Sequence, residues 1–185
     1  STSFKKGNFK ACKAPGIEFS QVAKSFNGAD FTGADLTGAS FTDTNLHKIN
    51  FTETNLSIAK LCGVYVKNAV IIDANLTEAD LTGVTLERAQ LNGSNLTGVN
   101  LNGATLKEVS LAGVNLSGAQ CTLATFIDVS FSRIELAGIS LFHATLKRVD
   151  LRYTDLRLAE LEGVKIRDCK IDETTLWPGG FTILN

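Results

Sequence analysis

The sequence predicts an all-β solenoid, a parallel β-helix, and three observations carry that prediction. Large apolar side chains recur at every fifth position. Small apolar residues form a second column two positions earlier, and a polar residue and often a glycine follow each centre. An α-helix would place apolar residues about every 3.6 positions and a lone strand every second one, so neither ordinary period fits. Period five needs a short extended stretch, with both apolar side chains on one face, and then a turn in every repeat.

Taken in chain order, residues 1–23 come first. Phe4, Phe9, Ala14 and Phe19 lie five apart, but out of phase with the centres of the main array. Two readings stay open: a partial extra coil joined through Ser20–Ser25, which the spacing favours, or a capping helix over Ile17–Phe26 started by Pro15. Residues 24–181 form the main array. Its centres run from Phe26, Phe31 and Leu36 through Leu96, Cys121 and Phe126 to Leu176 and Phe181. Ala29, Ala34, Ala74 and Val99 belong to the small column, which is small because the large centre already fills a narrow interior. Asp or Asn before many centres is expected to bond local backbone donors at the corners. Trp177-Pro178-Gly179-Gly180 reads as a stop, because proline removes a ladder donor. Residues 182–185 are a short tail.

The motifs GADFT, GADLT and ETNLS resemble the pentapeptide-repeat family, and the resemblance covers about residues 24–181. The ending TTLWPGGF is similar to those of cyanobacterial and chloroplast members. The resemblance implies a right-handed quadrilateral β-helix with four repeats per coil and about 8 coils. Stacked at roughly 4.8 Å, these would span roughly 38 Å. It also implies a protein without assigned catalysis.

The residues agree with that last implication. The two histidines, His47 and His143, fall nearly five coils apart and cannot share a site. The four cysteines show no metal-ligand spacing and are expected to be free thiols, with Cys121 and Cys169 buried and Cys62 outward. Gly93 and Gly98 mimic a phosphate loop only by the period, since Val99-Asn100 comes next. No enzyme, cofactor or metal is expected. Net charge of −1 signals no general attraction to nucleic acid or membranes, and no apolar run is long enough to span a bilayer. The first residue is Ser rather than Met, which fits a processed chain or an excised domain. The compartment stays open: cytoplasm, or thylakoid lumen or periplasm if a targeting segment was removed.

Sorting outward positions by face yields two candidate surfaces. One face carries Lys48, Lys67, Arg88 and Lys107, then Lys147, Arg148 and Arg167, against Glu87, Glu108, Asp128 and Asp168, a net +3. These cations are expected to form a basic stripe for an acidic protein surface. The second candidate is an apolar patch of Leu123, Phe142 and His143 on adjacent coils. The functional expectation is a monomeric binding or scaffold module for a protein partner, without specific nucleic-acid binding. The alternatives are the repeat domain of a larger signalling protein, such as a kinase fusion, and a DNA-mimicking topoisomerase protector. The last would need a strongly acidic surface, which the composition does not supply.

Overall fold

Each repeat folds as one side and one corner. Around Phe26 the chain is extended, then turns so that Ala29 N–H bonds to Phe26 O at 2.8 Å, with Gly28 at φ +70°. That third turn position requires the left-handed region, which glycine enters freely. Elsewhere Glu78 and Asp128 hold it at φ 55° despite their side chains, at a cost of about 1 kcal/mol each.

The computed structural model describes residues 3–183. Four corners close a circuit of twenty residues, and successive circuits pair in parallel, as in the series Asn55–Asn75–Asn95–Asn115 and Lys60–Asp80–Asn100–Gln120. Leu96 N–H bonds to Asn115 O at 2.8 Å and Asn95 N–H to Ala74 O at 2.9 Å, so this side bonds to the coils above and below it. On the first face the rungs lengthen into strands: β1 Tyr65–Lys67, β2 Thr85–Glu87, β3 Thr105–Lys107, β4 Thr125–Ile127, β5 Thr145–Lys147 and β6 Lys165–Arg167. They form one six-stranded parallel sheet in sequence order. This is the parallel β-helix that the period predicts, with the four sides that the family resemblance implies.

The centres fill the interior. Phe26, Leu36, Leu96, Phe126 and Leu146 are fully buried, each contributing roughly 1.5–3 kcal/mol over exposure. At two small-column hydroxyls a neighbouring coil supplies the acceptor: Thr54 Oγ1 donates to Phe31 O at 2.8 Å and Thr154 Oγ1 to Phe131 O at 3.1 Å. The corner clamp takes a constant form. Asn95 Oδ1 accepts from Thr97 N–H at 3.0 Å and from Thr97 Oγ1 at 2.6 Å, and Asp35 and Asn75 do the same for Thr37 and Thr77.

At the N-terminal end the extra coil is formed. Ser3, Asn8, Lys13 and Glu18 pair with Ser25, Asp30, Asp35 and Ser40, twenty-two residues on rather than twenty. The phase shift is absorbed by a single helical turn, α1 Phe19–Val22, and a capping helix over Ile17–Phe26 is not formed. Aromatic rings then stack from coil to coil, Phe19 on Phe41 at 4.5 Å and Phe9 on Phe31 at 4.7 Å. The leading coil and an incomplete last one make the coil count slightly different from the expected eight.

The C-terminal end departs from the expected register. Asp155 pairs with Leu176, twenty-one residues on, and Thr175 takes the interior column, its Oγ1 bonded to Leu151 O at 2.9 Å. Leu176 is therefore 40% exposed and Trp177 takes the place of the centre, stacked on Phe181 at 5.0 Å. One inserted residue packs the larger indole, half-buried, against the core in place of the leucine. Of the tail, Leu184 and Asn185 lie outside the described residues. Cys121 is buried as expected, whereas Cys169 is only half-buried near the open end. Cys62 is half-buried rather than outward: burial and the nearby Asp80 carboxylate push its thiol up to about 11.

Candidate functional site

The first face places two charged columns side by side, one in the strands and one in the corners after them. The strand column reads Lys67, Glu87, Lys107, Ile127, Lys147, Arg167 in register through β1–β6. The corner column reads Lys48, Asn68, Arg88, Glu108, Asp128, Arg148, Asp168. Acidic residues therefore interrupt the cations in both columns over the middle of the stack, at Glu87, Glu108 and Asp128. Lys67 Nζ lies 2.9 Å from Glu87, Arg88 Nε 2.8 Å from Glu108, and Lys107 Nζ 3.7 Å from Glu108. Arg148 grips Asp128 with two contacts of 2.6 Å. Hydrogen bonds from Tyr65 and Lys67 hold Glu87 down at about 2, and those from Arg88 and Arg148 lower Glu108 and Asp128.

The structure thus brings the predicted stripe residues together, but as a ladder of exposed ion pairs and not as a continuous cationic row. Exposed pairs contribute about 0–1 kcal/mol each, so their main effect is to neutralise this face. Among the described residues, Lys48, Lys147 and Arg167 have no acidic partner within ion-pair distance. The last two sit with Lys165 on β5 and β6, so the free positive charge gathers at the C-terminal end of the sheet.

Leu123 and Phe142 lie on adjacent coils, Leu123 exposed and Phe142 half-buried. Leu123 is 65% exposed and its N–H bonds to Phe142 O on the next coil at 2.9 Å. Phe142 meets His143 edge to face at 4.3 Å, and the His143 imidazole lies over Gly163, where a side chain would collide with it. This corner runs directly into β5 and Lys147. Tyr65 was not anticipated at the other end. Its hydroxyl reaches Glu87 and its ring meets His47 edge to face at 5.0 Å. The signal was one aromatic in a position that later coils fill with Thr85, Thr105 and Thr125. Among the described residues no group of three or more His, Cys, Asp or Glu could hold a metal ion, and no helix is long and apolar enough to cross a membrane.

A four-sided parallel solenoid with polar corner clamps defines a class of repeat protein. Family comparison agrees: a pentapeptide repeat region matches residues 22–96, and pentapeptide repeats match 106–141 and 139–177. The chain belongs to the pentapeptide-repeat family. Among solved structures it is similar to HetL, a pentapeptide repeat protein involved in heterocyst differentiation regulation in Nostoc sp. strain PCC 7120. That likeness has 23% identity and a TM-score of 0.51, and covers 92% of this chain and 88% of HetL. It is also similar to trypsin-treated QnrB1, a plasmid-mediated fluoroquinolone resistance protein, with 16% identity, a TM-score of 0.69, and 90% and 92% coverage. At these identities the likeness establishes the fold alone. No curated protein matches the chain.

Proposed function

We propose that this protein is a non-catalytic binding module that acts as a monomer and offers one corner of its stack to a protein partner. The observation that carries the reading is the exposed Leu123 beside Phe142 and His143, on a corner leading into Lys147 and the cationic end of the sheet. Rigid apolar side chains held at coil spacing bury area on contact with little loss of side-chain freedom, and flanking cations favour a partner with an acidic rim. The middle of the basic face, being internally paired, has little charge left to recognise a partner. A DNA mimic would need an acidic surface, whereas the net charge is −1.

A photo-crosslinking residue placed at Phe142 in the source cells tests this. One protein should be captured, capture should be lost on Leu123→Asp, and it should persist when Lys67, Arg88 and Lys107 are all changed to Glu. Loss with the triple change and retention with Leu123→Asp would transfer the role to the charged face. No capture at all would overturn the reading.

A further inference from the structure

The third face is interrupted at one place. Its ladder runs unbroken up to Leu116 N–H bonded to Glu135 O and Gly118 N–H bonded to Ala137 O, both at 2.8 Å. The next pair of bonds, from Leu136 to Asp155 and from Gly138 to Arg157, is not made, and Glu135 pairs with Asn115 but not with Asp155. Between the two coils opens a cleft of about 600 Å³, lined by Ile134, Leu136, Ala137 and Leu158 with Glu135 and Arg157 at its rim.

The sequence explains why it opens there. Up to that point the positions before the centres of this face are Asp35, Asn55, Asn75, Asn95 and Asn115, and those after are Thr37, Ser57, Thr77, Thr97 and Ser117. At the break they become Glu135 and Ala137, so the corner clamp is gone: the carboxylate is one methylene too long and the hydroxyl is missing. The small column changes too. Ile134 stands where Ala74, Ser94 and Val114 precede it, beside Phe131, which touches Phe126 at 5.0 Å between ring centres. Overfilling of a narrow interior is relieved by moving backbone.

We propose that this cleft receives an extended peptide segment of a partner, with one apolar side chain packed on Ala137 and Leu158 and a basic residue beside Glu135. Two features select a peptide over a small apolar molecule. The facing coil edges present main-chain donors at Leu136 and Gly138 and acceptors at Asp155 and Arg157, which an amide backbone can pair and a hydrocarbon cannot. Leu158, 75% exposed, offers a side-chain wall outside that edge. Charge adds direction: Arg157 is held by Asp155 with contacts of 3.0 and 2.7 Å, whereas Glu135 has no ion pair among the described residues. The site lies on a different corner from Leu123 and Phe142 and stands or falls independently of them.

The test is an amide NMR titration of the full chain with the peptide acetyl-Lys-Ala-Asn-Leu-Thr-Lys-amide, whose middle repeats the protein's own rung sequence. Leu136, Gly138 and Leu158 amides should shift and their exchange should slow. N-methylation of the peptide leucine should abolish this, Ala137→Trp should fill the cleft and do the same, and Glu135→Lys should weaken binding about tenfold. In the free protein Leu136 and Gly138 amides should exchange faster than Leu116 and Gly118. Equal exchange would show a closed ladder and overturn the proposal, whatever the variants do. No shifts at millimolar peptide, or equal binding of the N-methylated peptide, would overturn it as well.

Discussion

Tyr65 donates its hydroxyl to Glu87 Oε2 at 2.6 Å from the coil below, and Lys67 meets the other oxygen of the same carboxylate at 2.9 Å. The two contacts join adjacent coils through side chains where the ladder already joins them through the backbone. They also make Glu87 the most acid-shifted carboxyl of the charged face.

Tyr65→Phe should therefore raise the Glu87 titration midpoint from about 2 toward its ordinary value of 4.5, with Lys67 keeping part of the depression. A carboxyl whose folded pKa is lowered stabilises the fold above its unfolded pKa and loses that contribution as pH falls through the folded one. For Glu87 the loss should fall between about pH 4.5 and about pH 2. Carboxyl-detected NMR titration of both proteins checks it; an unchanged midpoint would remove the tyrosine from the account.

Leu96→Asp should unfold the protein, since the site is fully buried and the ladder around it leaves no partner for a carboxylate. Several kcal/mol are at stake for an unpaired buried charge. Thr97→Asp, one residue on, removes only a hydroxyl bond to Asn95 and should cost about 1 kcal/mol. Urea denaturation separates the two, and equal midpoints would contradict the register.

Thiol labelling should proceed in a fixed order. Cys121, fully buried and pushed up to about 12, should react only after unfolding. Cys62, at about 11, should label slowly at neutral pH and faster as the pH rises toward 10, because the thiolate is the nucleophile. Mass spectrometry after timed quenching reads both sites; rapid labelling of Cys121 in the native protein would place it outside the core.

Most of the fold was legible because one corner geometry repeats, so every repeat votes for the same answer. The misreadings have particular causes. At the C-terminus Leu176 sits at the expected spacing while Trp177 is one residue away, and only the competition for burial selects the indole. On the charged face a net +3 conceals the order: Glu87 lies between Lys67 and Lys107, and Glu108 pairs with Arg88 and Lys107. The cleft was invisible to the period because Leu136 keeps its place. Its signals are the three departures around that residue, Ile134, Glu135 and Ala137, which are seen only when each column is read along the stack.

The coil-to-coil stack of Phe9, Phe19, Phe31 and Phe41 has a kinetic consequence. A solenoid folds by nucleating at one place and adding coils to a finished floor. Here an N-terminal floor is built from rings that leave the ribosome before the coils that follow and that meet one another across two adjacent coils. Later coils then find a template waiting, and synthesis and folding run in the same direction along the chain.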